Sequence, residues 1–244
     1  EIIYASVRYP DEIVDTFDMS NVKKNQLLDS WKEQFIASKT FSSITQSVDS
    51  GIPTIISCYR KAAIEKSIPD EYYISFIEAM RKDIEISEYK KMEDLIDDYV
   101  YGSAIVVGYF LAYIYGPEEG YSVEDLLTPS KDLGIALQLT NFARDVYEDY
   151  FRGRFYAPTE LLCKPTNKND LESYVLNARK ILATEAEKWY LKAENGMNYF
   201  ASDSQIAIKT CLELFRKLNN KILLEEMPLD HRYSLSTKDK FSFL

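Results

Sequence analysis

The chain has 244 residues, a formal net charge of -10 and 46% hydrophobic residues. This length and composition suit one large globular domain with its own core, and they exclude wholesale disorder. The negative charge argues against a generic nucleic-acid binder, and a single histidine with three widely separated cysteines argues against a histidine-ligated zinc site, a Ser-His-Asp triad and a disulfide framework.

Apolar residues at helical spacing cover most of the chain, and no alternating strand pattern is longer than a few residues. Asn21 and Ser130 have the residue types of N-caps, and Pro10 is expected to kink the first helix. A loop at 116–129, an irregular stretch at 152–169 and a polar C-terminal tail are expected between and after the helices. The predicted helices, in chain order, are approximately residues 2–17, 21–35, 53–63, 70–84, 92–115, 130–151, 170–199 and 203–225.

These elements predict an all-α fold, a single domain over residues 1–244, because no linker separates two groups of helices. The middle of the sixth helix, residues 133–142, is apolar nearly all round, which predicts a central position. The longest apolar run, residues 104–115, is shorter than an ordinary membrane span.

A first acidic line lies on the first predicted helix. Asp11 and Asp15 are four residues apart, so a helix presents both carboxylates on one face. Tyr4 and Arg8 precede them at steps of four and three. A solvated acidic face is the simpler interpretation of such a pair. A cation beside clustered carboxylates on an otherwise apolar helix instead indicates a metal–diphosphate site, where carboxylates hold the metal and the guanidinium binds phosphate oxygens.

A second polar line lies on the sixth predicted helix. Gln138, Asn141, Asp145 and Asp149 follow one another at steps of three, four and four, beside Arg144. Amides and carboxylates on an apolar helix are costly unless they bind something or form a buried network between helices. Oxygen ligands without histidine or cysteine favour Mg²⁺ over zinc. The chemistry that follows is Lewis-acid removal of a diphosphate.

These residues resemble known motifs. Residues 11–17 resemble the first aspartate-rich motif of the squalene/phytoene synthase family, and residues 137–149 with 152–158 resemble the second, which is the more specific. Residues 98–108 resemble the central helix of the family and follow 80–83 at the usual distance. The resemblance covers nearly the whole chain, and the bacterial phytoene synthases are the members it is most similar to.

The resemblance implies an all-α helical bundle of the isoprenoid synthase type around a central cavity, and head-to-head joining of two prenyl diphosphates through a cyclopropyl intermediate. Tyr101 matches the family tyrosine that assists proton removal or steadies a carbocation. The implied metal ligands, with Mg²⁺ as the metal and Mn²⁺ as its alternative, are Asp11, Asp15, Asn141, Asp145 and Asp149. The implied diphosphate contacts are Tyr4, Arg8, Gln138 and Arg144, with Arg152 and Arg154 equally compatible with a solvated turn.

Some positions depart from the family pattern. The family has an earlier helix whose serines bind a diphosphate, and the chain begins after it, so that helix is expected to be absent. Ile105 stands where many members have glycine, which is expected to narrow the cavity. Cys211 stands where many members have tyrosine, which leaves one substrate contact open.

The leading prediction is phytoene formation from two geranylgeranyl diphosphates. The first alternative is dehydrosqualene or squalene formation from farnesyl diphosphate, with NADPH needed only for squalene. The others are a terpene cyclase and a non-catalytic scaffold, which would be expected to lose the motif aspartates that this chain retains. The expected location is cytoplasmic, with transient contact at the membrane surface to deliver an apolar product. The sequence indicates no oligomeric state.

Overall fold

The computed structural model describes residues 1–85, 88–225 and 227–241. These residues are predominantly helical, and within them extended pairing is limited to two isolated bridges, Glu88 with Phe155 and Pro117 with Phe200. The predicted all-α class is therefore confirmed.

The helices fall into two compact units, Glu1–Glu85 and Ile86–Leu244. The prediction of one domain over residues 1–244 stays a prediction. The first unit contains α1 (Ile2–Asp15), α2 (Asn21–Ala37), α3 (Ile44–Asp49), α4 (Thr54–Glu65) and α5 (Asp70–Glu85). The second contains α6 (Met92–Asp94), a π-helical stretch (Leu95–Ile105), α7 (Val106–Tyr115), α8 (Val123–Phe151), α9 (Lys168–Glu194), α10 (Ser202–Leu224) and α11 (Thr237–Phe241).

The core of the first unit is built around Tyr73 of α5. Its ring stacks on Tyr59 of α4 with centroids 4.3 Å apart and meets Phe35 of α2 edge-on at 4.7 Å. Its hydroxyl donates to the carbonyl of Ser6 on α1 at 2.8 Å and accepts from the Trp31 indole at 2.9 Å. Tyr73 thus connects three other helices and determines which face of α1 is buried.

Two details of the first unit differ from the sequence prediction. The N-cap of α2 is Ser20, whose hydroxyl accepts from the backbone N–H of Lys23, and Asn21 is the first helical residue. Helix α1 runs from Ile2 to Asp15 with Pro10 inside it and buried, so the helix continues through the position of the expected kink, which stays a prediction. The short helix α3 had not been predicted.

The sixth predicted helix begins seven residues earlier than expected. Its N-cap is Ser122, whose backbone N–H and hydroxyl donate to the Asp125 carboxylate at 2.8 and 2.9 Å. The prediction of a loop up to residue 129 was wrong because Pro129 is accommodated inside α8. Gly196 lies against the Pro129 ring, where an added Cβ would come within 2.5 Å of it.

One helix among the described residues, Met92–Tyr115, is long and apolar enough to cross a membrane. It comprises α6, the π-helical stretch and α7, and half of its most apolar window is buried within the protein. Core helices of soluble proteins share this length and composition. The predicted end before Gly116 is confirmed, with Gly116 in the left-handed region at φ +74°.

Helix α8 is the central element of the second unit, as its apolar middle predicted. Its buried Thr140 lies 2.8 Å from the hydroxyl of Tyr190 on α9 and 3.4 Å from the side-chain oxygen of Asn219 on α10. Asn219 also donates to the Ala183 carbonyl at 2.9 Å. Thr140, Tyr190 and Asn219 are fully buried. This polar network connects α8, α9 and α10.

The predicted polar tail is packed against the second unit. Tyr233 is 3% exposed, and its hydroxyl donates to the Glu225 carbonyl at 2.7 Å. Lys221 of α10 donates to the Ser234 carbonyl at 3.1 Å. The tail is therefore anchored by a buried aromatic side chain, Tyr233, although its composition is polar.

Candidate active site

The first acidic line occupies one face of α1. Ser6, Pro10 and Ile13 are buried on the opposite face, which the Tyr73 hydrogen bond holds against the core. The helix places the four predicted site residues of this unit on its outer face, as the spacing required; they are Tyr4, Arg8, Asp11 and Asp15.

Charges on this face are closely coupled. The Arg8 guanidinium donates to Asp11 at 3.1 Å and also pairs with Glu12. Burial and the neighbouring Asp15 carboxylate raise the pKa of Asp11 to about 6, and Arg8 opposes this shift. Clustered carboxylates that disfavour one another's ionisation are stabilised by a cation placed between them.

The second polar line begins at an apolar cavity inside the second unit. Gln138 and Asn141 form part of the wall of this cavity, which has a volume of about 330 Å³ and is otherwise lined mainly by apolar side chains of α7, α8 and α10. The wall includes Leu137, Ile208 and Phe215. An apolar cavity with a few polar groups on one side is typical of a site for a ligand that is mostly hydrocarbon.

Asp145 lies one turn beyond Asn141 and is held by two arginines. Arg144 donates to it from Nε at 2.8 Å and from Nη2 at 2.5 Å. Arg232, 87 residues further along the chain, donates from Nε at 2.9 Å and from Nη2 at 3.3 Å. Burial opposes ionisation of Asp145, but the arginine hydrogen bonds prevail and hold its pKa below the ordinary value. Asp149, the last member of the line, is buried.

Arg152 and Arg154 flank the end of α8. Gly153 has φ +79°, a left-handed conformation that glycine adopts without strain and that ends the helix. The backbone N–H groups of Arg152 and Arg154 both donate to the Asp149 carbonyl, at 3.0 and 2.9 Å. Their diphosphate contact stays a prediction.

Tyr101 lies in the π-helical stretch and is 37% exposed. π-Helical turns are frequent at functional sites because they displace side chains from the regular helical positions. Ile105, on the same stretch, is 1% exposed and packs close to Gly134 of α8. The cavity wall on this helix is formed instead by Ser103, Ala104, Val107 and Gly108, among others, so the expected narrowing by Ile105 stays a prediction.

Cys211 of α10 lines the cavity, and burial raises the pKa of its thiol. All three cysteines are free, as their spacing predicted. A thiol is smaller than the tyrosine found at this position in many family members, so the polar contact expected from that hydroxyl is replaced by a weak donor.

Sequence reasoning missed two arginines near Asp145. Arg232 lies in the tail, where no local pattern indicates a partner. Arg179 of α9 is 3% exposed, and its position is indicated by the sequence: it is four residues after buried Val175 and three before buried Leu182, on the apolar stripe of the helix. A charged residue on a buried stripe indicates a specific partner.

The donor chemistry of both acidic lines fits Mg²⁺. The described residues contain no cluster of three or more His, Cys, Asp or Glu side chains arranged to hold a metal ion by themselves. Mg²⁺ commonly takes one or two carboxylates and completes its shell with water and substrate phosphates. Each line offers at least two carboxylates, and the raised pKa of Asp11 marks a carboxylate cluster that a cation would relieve.

Comparison with known proteins gives consistent results. The family model for squalene/phytoene synthase matches residues 2–237. The 15-cis-phytoene synthase of Pantoea ananas is 26% identical over 254 residues, which covers 100% of this chain and 79% of that protein. The chloroplastic phytoene synthase 1 of Solanum lycopersicum is 30% identical over 234 residues, which covers 90% of this chain and 53% of that protein.

Solved structures show the same fold. A dehydrosqualene synthase in complex with ligand superposes with a TM-score of 0.72 at 21% identity, covering 99% of this chain and 82% of that one. A squalene synthase from Alicyclobacillus acidocaldarius gives 0.69 at 22% identity, covering 91% of this chain and 79% of that one. With a family match that spans residues 2–237, the chain belongs to the squalene/phytoene synthase family and is a prenyltransferase.

Proposed function

We propose that this protein joins two geranylgeranyl diphosphates head to head to form phytoene through a cyclopropyl (prephytoene) diphosphate, in a reaction that depends on Mg²⁺. Head-to-head condensation of prenyl diphosphates is the activity that family membership supports. The choice of geranylgeranyl diphosphate follows two bacterial relatives that match the whole chain, both of which are named 15-cis-phytoene synthase.

The observation that carries the proposal is the arrangement along α8. The apolar cavity reaches Gln138 and Asn141, and the Asp145 carboxylate follows one turn later. A prenyl diphosphate has the same division, a hydrocarbon tail and a strongly anionic head. The cavity would take the tail, because burial of hydrocarbon is favourable and, within the described part of the chain, no charged side chain lines that space.

The chain's own residues have distinct roles in this scheme. Asp11 and Asp15 in the first unit, and Asn141, Asp145 and Asp149 in the second, would hold Mg²⁺. When bound, Mg²⁺ neutralises charge on the departing diphosphate. Arg8 and Arg144 would exchange their present carboxylate partners for phosphate oxygens, since guanidinium binds both in the same forked geometry.

Tyr101 would act on the hydrocarbon part of the substrate. Its phenol offers an oxygen that can accept or donate a proton and an aromatic face that stabilises a carbocation. The partial exposure of its side chain leaves it accessible to a ligand. Because the hydrocarbon product is insoluble in water, we also propose a cytoplasmic protein that contacts the membrane surface transiently.

The test is product analysis by mass spectrometry. The purified protein is incubated with Mg²⁺ and either geranylgeranyl or farnesyl diphosphate, with and without NADPH. A forty-carbon hydrocarbon from the first substrate is the expected result. A thirty-carbon product from farnesyl diphosphate would replace phytoene synthesis by the squalene branch, with NADPH dependence separating squalene from dehydrosqualene.

The matched variant for this test is Asp145→Asn, which removes one carboxylate charge and preserves the side-chain shape. We expect turnover to fall by on the order of 100-fold or more, as for removal of a metal ligand or its support. The exposed Glu33→Gln on α2 removes the same charge at a distance in sequence and should leave turnover unchanged. Near-normal turnover in Asp145→Asn would contradict the metal assignment.

A further inference from the structure

Four contacts attach the C-terminal segment 229–234 to α9 and α10 of the second unit. Arg179 of α9 donates from Nη2 to the carbonyls of Leu229 at 2.8 Å and His231 at 3.4 Å. Its guanidinium also lies over the Tyr233 ring, 5.4 Å from the centroid. Lys221 adds a bond to the Ser234 carbonyl. Three of these four contacts come from one buried side chain, Arg179.

Arg179 is costly to bury, so its contacts must stabilise it. The side chain is 3% exposed, and its Nε and Nη1 have no hydrogen-bond partner within the described part of the chain. Burial accordingly lowers its pKa, while Tyr233 and Asp145 oppose that shift. Nothing on α9 or α10 itself accepts from the guanidinium among the contacts described above, so the segment 229–234 supplies its acceptors.

The segment also contains Arg232, whose side chain contacts Asp145 of α8 and not Arg179. Its Nε and Nη2 form a forked pair with the two Asp145 oxygens at 2.9 and 3.3 Å, and its Nε lies 3.6 Å from Glu148. The Arg232 side chain is 55% exposed, whereas that of Asp145 is 18% exposed. Because Arg232 is the exposed partner of this pair, a cation that reaches Asp145 can compete with it.

We propose that segment 229–234 is a strap anchored by Arg179, and that the strap holds the Arg232 guanidinium on Asp145 as a placeholder for a divalent cation. Arg179 is in this sense a positioning residue. A metal ion bound at Asp145 would displace the Arg232 guanidinium. The strap would then lose its contact with Asp145 and keep its contacts with Arg179. The inference rests on the proposed function in one respect, that Asp145 is a metal ligand; the anchoring by Arg179 does not depend on it.

The anchoring is tested without metal. Amide hydrogen exchange of segment 229–234 is compared between the parent protein, Arg179→Met and Arg179→Lys, with trypsin cleavage after Arg232 as a second readout. We expect exchange to accelerate at least about tenfold in Arg179→Met and less in Arg179→Lys, which keeps one donor. The control is Arg216→Met, since Arg216 of α10 pairs with Glu187 and Glu194 of α9 and not with the strap.

Displacement is tested with the metal alone. Binding of Mn²⁺, and of Mg²⁺ by competition, is measured by electron paramagnetic resonance. Because Arg232 no longer occupies Asp145, we expect Arg232→Gln and Arg179→Met to bind metal about two- to fivefold more tightly, the equivalent of one surface ion pair. Arg216→Met should match the parent. In the parent, saturating Mg²⁺ should accelerate exchange of segment 229–234.

Three outcomes would each contradict one part of the scheme. Equal exchange in Arg179→Met and Arg216→Met overturns the anchor. Unchanged or weaker metal binding by Arg232→Gln overturns the placeholder. If Asp145→Asn binds metal as well as the parent does, the metal assignment in the proposed function fails, while the exchange result still decides the anchor.

Discussion

Asp11 shares one helix face with a second carboxylate, Asp15, and its negative charge is unfavourable in the metal-free protein. Its pKa is raised to about 6 by burial and by Asp15. The folded chain therefore retains a proton there that the unfolded chain releases near its ordinary pKa of about 3.9. Stability from this group is present below the unfolded value and is lost as the pH rises through about 6.

Asp11→Asn should remove this loss of stability at neutral pH, because the amide does not ionise. Without metal, we expect the variant to be as stable as or more stable than the parent at pH 7.5, and the difference to diminish at pH 4.5 where the parent carboxyl is protonated. Urea unfolding at both pH values measures it, with Glu33→Gln as the control for removal of an exposed carboxylate. A variant clearly less stable than the parent at pH 7.5 would show that Asp11 stabilises the fold.

Tyr101→Phe separates chemistry from packing. The change deletes only the hydroxyl, so product formation should fall by on the order of 100-fold, as for loss of a group that transfers a proton, while the affinity for a diphosphate analogue stays within about twofold. Single-turnover kinetics and equilibrium binding measure the two quantities. Tyr109→Phe, the same change on the same long helix, is the control. Equal losses of turnover and affinity would indicate a packing role for Tyr101.

At this scale the sequence predicts what lies on one helix. Residues 4, 8, 11 and 15 share a face of α1, and residues 138, 141 and 145 share a face of α8, because helical steps of three and four determine both. The Arg232–Asp145 pair was not predictable, since 87 residues separate its members and no periodicity connects them. Arg179 is partly predictable. Its place on the apolar stripe of α9 indicates that it is buried, but the sequence does not indicate its partner.

At the scale of elements, three glycines permit close helix contacts. An added Cβ would come within 2.5 Å of the Pro129 ring at Gly196, within 2.8 Å of the Ser130 carbonyl oxygen at Gly108, and within 3.1 Å of the Ala104 carbonyl oxygen at Gly134. Two of these three contacts are between the long Met92–Tyr115 helix and α8, which together form much of the cavity wall.

Alanine at these positions should destabilise in the order of those distances. We expect Gly196→Ala and Gly108→Ala to cost about 1–3 kcal/mol of unfolding free energy because backbone or ring must move, and Gly134→Ala to cost less. Gly108 and Gly134 are helical, so alanine's better helix propensity, worth about 1 kcal/mol, offsets part of the cost there. Urea unfolding measures the series; a neutral Gly196→Ala would mean that Pro129 repacks freely.

The start of α8 shows why element boundaries were harder to predict than element types. Pro129 is a local helix breaker by sequence, yet the Ser122–Asp125 capping box begins the helix earlier. The Pro129 ring packs against Gly196, which is 67 positions away in the chain, so no local pattern indicates this contact. The end of the long helix at Gly116 was predictable because the signal is local.

At the scale of the whole molecule, a net charge of -10 would repel the diphosphate of the proposed substrate unless cations lie between them. We expect Mg²⁺ with a non-hydrolysable geranylgeranyl thiodiphosphate to raise the melting temperature by about 5–10 °C at a hundredfold excess over the dissociation constant, the equivalent of about 2.7 kcal/mol. Scanning fluorimetry measures the shift. Either component alone should give less, and Asp145→Asn should lose most of it. No shift in the parent would contradict the proposed Mg²⁺–diphosphate site.

The buried bonds among Thr140, Tyr190 and Asn219 also bear on how this scaffold can be diversified. They connect α8 to α9 and α10, and none of the three is among the residues that line the cavity, such as Leu133, Leu137 and Gln138. The side chains that hold these helices together are therefore different from those that line the cavity. A library that varies cavity-lining side chains while keeping the three polar residues should yield many folded members with altered product length, and a library that varies the polar residues should yield few.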